Sequence, residues 1–156
     1  MKKNVLIIGA GGVGQVVAHK CAQHNVQLGD IHIASRSLHK CRALIDSIHK
    51  KGSLQDRKGV LKAHTLDAMD TAATRRLIEQ TGAPIVVTVG HAFVNMPVLE
   101  ACIQTGAAYI DTAIHEDPAA ACEAPPWYAN HESTPKARCA ERGATAVRGA
   151  RLDPGA

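Results

Sequence analysis

The chain has 156 residues, a formal net charge of +4, 46% apolar residues and only 3% aromatic ones. That length supports one domain with a sizeable core and excludes two of ordinary size, and the apolar share excludes a disordered chain. Lys and Arg are spread along the chain without an RNA-reading aromatic motif, so the charge points to a solvated surface, not a nucleic-acid face.

Strand and helix signals alternate almost from end to end. Asn4–Ile8, apolar from Val5 onward, predicts a central strand. Val13, Val16, Val17 and Cys21, with Ala18 beside them, then recur at helical spacing up to His24. Ile31–Ala34 predicts a second strand, and Leu38–Lys51 a helix with Leu38, Cys41, Leu44, Ile45 and Ile48 on one face. Its closing lysines, Lys50 and Lys51, suit the negative end of a helix dipole. Gly52–Gly59 is a polar loop.

Val60–Leu66 predicts a third strand, after which Asp70 or Thr71 caps a helix ending at Thr81–Gly82. Pro84–Val89 is the fourth strand, and Asn95 caps a helix with Pro97 in its first turn, where a missing N–H costs nothing. That helix stops at Gly106, and Tyr109–Thr112 is the fifth strand. His115–Asn130 reads as an extended loop, followed by a helix around Lys136–Arg142 and a sixth strand at Ala144–Val147. Such alternation predicts an α/β fold: a Rossmann-like, doubly wound parallel sheet of about six strands with helices on both faces. The scarcity of aromatic residues fits, because the core of such a sheet rests on Val, Ile, Leu and Ala.

The stretch "VLIIGAGGVGQVV" runs an apolar strand straight into a glycine cluster. Gly9, Gly11 and Gly14 match G-x-G-x-x-G, a weak pattern alone, but here at the strand-to-helix junction where its mechanism requires it. Gly9 makes the tight turn, Gly11 lets backbone approach a diphosphate, and Gly14 lets helix and strand pack closely. Gly12 and Val13 complete the turn whose free N–H groups face the phosphates, helped by the helix dipole.

The end of the second strand chooses between dinucleotides. An NAD site carries an acid about 20 residues past the glycines, on the ribose 2′-OH. Here that position reads Ser35, Arg36, Ser37, with no carboxylate. A guanidinium and two hydroxyls suit a 2′-phosphate, so the expected cofactor is NADP(H). Asp67 and Ala68 follow the third strand, near the expected adenine position, although Asp67 reads equally well as a helix-capping acid. Val89 and Gly90 border the nicotinamide path, and Thr112 ends strand five on the same carboxyl edge.

Other candidates carry less. His115, Glu116 and Asp117 are adjacent on a loop, where side chains seldom converge, and no second cluster has metal spacing, so no metal is expected. His91 sits where a proton shuttle would be useful but is one of nine histidines, and Cys102 reads as core. Five cysteines without a CxxC pair argue for reduced thiols. With no apolar run of membrane-spanning length and no secretory leader, the expected location is the cytoplasm, away from any membrane.

"VLIIGAGGVGQVVAHKCAQ", "IHIASRSLHKC", "AFVNMPVLEACIQTGAAYIDTAIHEDP", "PPWYAN" and "LDPG" together resemble the NADP-binding domain of the saccharopine dehydrogenase family, and within it the carboxynorspermidine dehydrogenase branch. The resemblance implies NADPH-dependent reductive condensation of aspartate semialdehyde with a diamine, in polyamine biosynthesis. The implied partners are therefore small molecules, an amino-aldehyde and a diamine, with a homodimer in the full-length family member. It also implies a longer architecture, in which a substrate-binding, dimer-forming domain follows the segment matched here. Residues 1–156 are accordingly expected to be the cofactor domain of that architecture, truncated before the second domain and inactive alone. The family pattern "GAGFDPG" reads "GARLDPG" here, placing Arg151 and Leu152 where Gly and Phe are expected, and Arg148 replaces an apolar residue. Two other readings stay open: a nucleotide-sensing module without catalysis, and a non-functional truncated remnant. A short-chain dehydrogenase is set aside, because Tyr109 and Tyr128 are followed four residues later by Ala113 and Glu132 instead of the required lysine.

Overall fold

A computed structural model describes residues 2–112 and 137–149. Their elements run β1 (Lys3–Ile8), α1 (Gly12–Gln23), β2 (Leu28–Ser35), α2 (Leu38–Lys50), β3 (Leu61–Thr65), α3 (Thr71–Thr81), β4 (Ile85–Thr88), α4 (Asn95–Thr105), β5 (Ala108–Asp111) and β6 (Ala146–Val147). Residues 137–142 are also helical. The strands form one six-stranded sheet in the order β3-β2-β1-β4-β5-β6. Every pairing is parallel. The chain thus winds outward from β1 to β3, then restarts at β4 on the other side of β1. The connections that leave the carboxyl ends of β1 and β4 run to opposite sides of the sheet at that switch point, where open α/β sheets form a crevice.

Successive β1 side chains enter opposite cores, as the pleat dictates. Val5 and Ile7 pack with Ile31, Ile33, Cys41, Leu44 and Ile48 beneath α1 and α2. Leu6 and Ile8 pack with Val86, Leu77, Val98, Leu99 and Tyr109 beneath α3 and α4. Burial on both faces is why the strands read as unbroken apolar runs.

Two expectations about helices need correcting. The sequence puts Val13, Val16, Val17 and Cys21, with Ala18, on the buried face of α1; the structure buries Ala18 with Gly14 and Ala22 and packs Val17 and Cys21 half-buried against the core. Val13 and Val16 are left 41% and 62% exposed. The reason is distance: a Cβ on Gly14 would lie 2.1 Å from the Gly9 carbonyl oxygen, so the start of α1 sits too close to the turn for any side chain there. In α4 the cap is Val94, not Asn95; a 3-10 turn at Ala92–Val94 leads directly into the helix and makes Asn95 its buried first residue. Asp70 does cap α3, its side chain accepting from the Ala73 N–H at 2.9 Å. That helix closes on Gly82, at φ 56°.

On the α3 side of the sheet, His32 Nδ1 and His64 Nε2 lie 2.9 Å apart and share a hydrogen bond. His32 is 3% exposed, and its Nε2 has no partner. Burial, then the neighbouring His64 and Lys62, pull the His32 pKa down to about 4, against a smaller opposing effect of Asp30. His64 is lowered as well, by burial and by Lys62. The predicted loop His115–Asn130, Cys122, Arg151 and Leu152 lie outside the described residues.

A dinucleotide crevice at the carboxyl edge

The sequence expectations converge on one hollow of about 610 Å³ above the carboxyl ends of the strands. That volume lies in the range of ordinary small-molecule and cofactor sites. Four chain segments wall it: Ile8–Gly11 after β1, Ser35–Ser37 with Lys40 after β2, Leu66–Met69 after β3, and Val89–His91 with Phe93 and Val94 after β4. Backbone hydrogen bonds pin three of these together. Gly9 N–H donates to Ala34 O at 2.9 Å, and Val89 N–H donates to Ile8 O at 2.9 Å.

Gly9 is required twice over. Its φ is 121°, a conformation side chains rarely adopt, and a Cβ there would lie 2.9 Å from Val89 C and O and from Gly90 N. Gly11 and Gly12 face the opposite situation, since a Cβ on either would meet nothing within 4 Å. The first turn of α1 has neither an acidic residue nor a side-chain cap. Its leading N–H groups therefore present uncompensated positive charge to open space, which fits a diphosphate. Gly12, Val13 and Gly14 form that first turn behind the crevice wall, while Thr112 lies half-buried just past β5, outside the wall.

The β2 edge differs from expectation in one respect. Arg36 is exposed and lines the crevice, as the sequence predicts. The Ser35 hydroxyl, however, donates to Ser37 O at 3.0 Å and accepts from Ser37 N–H at 3.2 Å. It also lies 3.2 Å from Cys41 Sγ. Its single proton is spent on shaping the turn, so Ser35 is not a free phosphate ligand. Ser37 uses its backbone to start α2, and its hydroxyl makes no cap bond.

Of the two readings of Asp67, the structure removes the helix cap. Its Oδ1 accepts from the Met69 N–H at 3.1 Å, a local turn bond, and Asp70 is the helix cap. Asp67 therefore remains exposed on the crevice beside Ala68 and the half-exposed Met69. Across from them His91 stacks on Phe93 with ring centroids 4.1 Å apart, and its Nδ1 accepts from the Phe93 N–H at 3.5 Å.

Below the β4–β5 rim lies a polar cluster that no motif foretold. The Tyr109 hydroxyl donates to Asp111 Oδ2 at 2.8 Å, with Asn95 O at 3.3 Å as a further acceptor, and the Gly149 N–H donates to Asp111 Oδ1 at 2.5 Å. Tyr109 and Asp111 are each 1% exposed. Burial, then the Asp111 carboxylate, push the Tyr109 phenol far above its ordinary value, so it stays protonated. Thr88 Oγ1, on the strand position paired with Asp111, is buried without a partner. Arg148, half-buried after β6, directs Nη2 to Met96 Sδ at 3.6 Å. Cys102 is core, as expected, and burial beside Cys139 raises its thiol. Among the described residues no group of three or more His, Cys, Asp or Glu is placed to hold a metal, and no helix is long and apolar enough to cross a membrane. His115, Glu116 and Asp117 lie outside the described residues.

Comparison with known proteins supplies the family. The model of the saccharopine dehydrogenase NADP-binding domain matches residues 5–147. The chain belongs to that family. NADP(H), the cofactor expected from the β2 edge, is the one the family's domain binds. A carboxynorspermidine synthase of Vibrio alginolyticus is 40% identical over 97% of this chain and 36% of its own length. A carboxyaminopropylagmatine dehydrogenase of Synechocystis is 34% identical over 97% of this chain and 35% of its own. The chain thus spans a little over a third of the curated relatives it matches. In fold it is similar to apo saccharopine dehydrogenase (L-Glu forming) of Saccharomyces cerevisiae, with a TM-score of 0.67 at 20% identity, covering 98% of this chain and 28% of that one.

Proposed function

We propose that this domain holds NADP(H) for an oxidoreductase acting on C–N bonds, one that reductively condenses aspartate semialdehyde with a diamine in polyamine biosynthesis. One observation carries the cofactor side: Arg36, and no carboxylate, stands at the β2 edge of the crevice that Gly9 and Gly11 open. The names of the relatives carry the substrate side, a carboxynorspermidine synthase and a carboxyaminopropylagmatine dehydrogenase.

In this reading Gly9, whose N–H is bonded to Ala34 O, makes the turn, and Gly11, Gly12, Val13 and Gly14 receive the diphosphate through backbone N–H groups, because bare main chain lets the charge approach closely. Arg36 and the Ser37 hydroxyl receive the 2′-phosphate, and Ser35 acts indirectly by holding their turn. Asp67 and Ala68 flank the adenine, and Val89, Gly90 and Thr112 border the nicotinamide. Amine and aldehyde would join with loss of water to give an imine; once the imine nitrogen is protonated, its carbon would accept the hydride that NADPH supplies when bound, giving a secondary amine and NADP+. The domain contributes position: it fixes one reactant at the switch point and leaves the other to the remainder of the longer protein. These 156 residues alone are expected to bind cofactor with little or no turnover.

The test is a pair of fluorescence titrations, NADPH and NADH, on the chain and on Arg36→Ala. Losing charge-assisted hydrogen bonds of roughly 1.5–3 kcal/mol should weaken NADPH about ten- to a hundredfold. NADH should barely change. Equal losses for both nucleotides would refute the assignment.

A further inference from the structure

The crevice leaves a charge unaccounted for. A ribose 2′-phosphate is close to dianionic at neutral pH, with a second pKa near 6. The β2 edge meets it with one guanidinium, since the Ser35 hydroxyl is committed to Ser37 O. Lys40 sits in the first turn of α2, exposed, on the same crevice wall as Arg36 and Ser37. It closes the stretch "SRSLHK" that follows β2, three residues beyond Ser37.

Its position is unfavourable for a lysine in an ordinary helix. The N-terminal turn of a helix carries positive partial charge and favours Asp or Glu, typically by 0.3–1 kcal/mol. Here that turn has no acidic residue, and it is flanked by Arg36 and contains Lys40. Neither cation forms an ion pair with a described residue. Two cations beside a positive helix end repel one another until an anion lies between them. Local rules broken in this way concentrate at functional sites. Asp67, the one carboxylate among the described residues of the crevice wall, stands after β3 and is bonded to the Met69 N–H.

We propose that Lys40 is the second cation of the 2′-phosphate site, so that preference for NADP(H) over NAD(H) is divided between Arg36 and Lys40. This rests on the assignment of the crevice to NADP(H). The Nζ ammonium supplies a point charge and up to three donors, complementing the planar fork of Arg36. The helix start adds the N–H groups of its first residues. The phosphate then has the two positive charges its own charge requires.

The experiment compares Lys40→Met, Lys40→Arg and Arg36→Ala with the unaltered chain, titrating NADPH and NADH at low and moderate salt. Lys40→Met should weaken NADPH about five- to thirtyfold and leave NADH within twofold, and Lys40→Arg should restore most of the loss. NADPH, but not NADH, should also slow modification of Lys40 by an amine-directed reagent in the unaltered chain, a measurement that needs no variant to fold. Unchanged NADPH affinity in Lys40→Met, a parallel loss of both nucleotides, or equal protection by NADPH and NADH would overturn the proposal. A selective loss in Arg36→Ala without one in Lys40→Met would overturn it and leave the cofactor assignment standing. An unaltered chain that binds NADH as tightly as NADPH would remove the assignment itself, and this inference with it.

Discussion

Gly14→Ala is the sharpest single perturbation of the cofactor loop. The added Cβ would lie 2.1 Å from Gly9 O and 2.8 Å from Gly9 C, both backbone atoms. Ordinary contact begins at 3.4 Å, so helix and turn must part by about 1.3 Å. No flexible side chain can absorb that movement, because Gly9 is tied to Ala34 and is wedged against Val89 and Gly90. Overpacking of this kind costs roughly 1–3 kcal/mol and sometimes more, and alanine regains about 1 kcal/mol of helix propensity over glycine. A 2.1 Å contact with backbone puts the cost at the upper end of that range, and the net loss of about 2 kcal/mol then corresponds, for a domain of this size, to a fall in melting temperature of about 4–8 °C. Because the clash moves the start of α1, NADPH and NADH should weaken together, unlike the selective loss expected at Arg36. Gly12→Ala is the control. Its Cβ would meet nothing within 4 Å, so its melting temperature should equal or exceed that of the parent chain. Thermal melts followed by circular dichroism read both variants. A Gly14→Ala chain that melts with the parent would show that α1 does not pack against the turn as described.

Two further outcomes follow from the buried polar groups. The unfolded His32 takes up its proton near pH 6.5, while the folded one resists until about pH 4. The unfolded state therefore binds more protons in that window, and stability should fall as pH drops from 6.5 toward 4, by up to about 3 kcal/mol. Urea denaturation at several pH values measures this; a His32→Leu variant should flatten the curve over that window. Tyr109→Phe removes one of the two donors that the described residues give the buried Asp111 carboxylate and should cost about 1–3 kcal/mol in the same assay. A loss below 0.5 kcal/mol would show that the pair contributes little to holding β5.

Much of this protein is legible in its letters because the underlying physics is local. Short unbroken runs such as Val5–Ile8, closed by a glycine turn, suit strands buried on both faces, and the alternation with helices then leaves a parallel, doubly wound sheet as the natural solution. The glycine spacing before α1 and the arginine after β2 are readable for the same reason, since each acts within a few residues of its own backbone. Packing distance is not local. Counting apolar residues put Val13 and Val16 in the core, but the separation between α1 and β1 is set by the whole sheet, and at that separation Gly14, Ala18 and Ala22 are what fits. Nor could spacing reveal that the Ser35 proton is committed to Ser37 O, that His32 meets His64 across two strands, or that Asp111 is bracketed by Tyr109 and Gly149. Those facts depend on strand register and on the position of the chain after β6. Lys40 joins Arg36 because the turn at Ser37 and the start of α2 bring both to the same wall. The sequence by itself determined which backbone elements form and where bare main chain must stand; the tertiary structure alone decided which side chains the crevice leaves free to act, because that depends on neighbours brought in from distant parts of the chain.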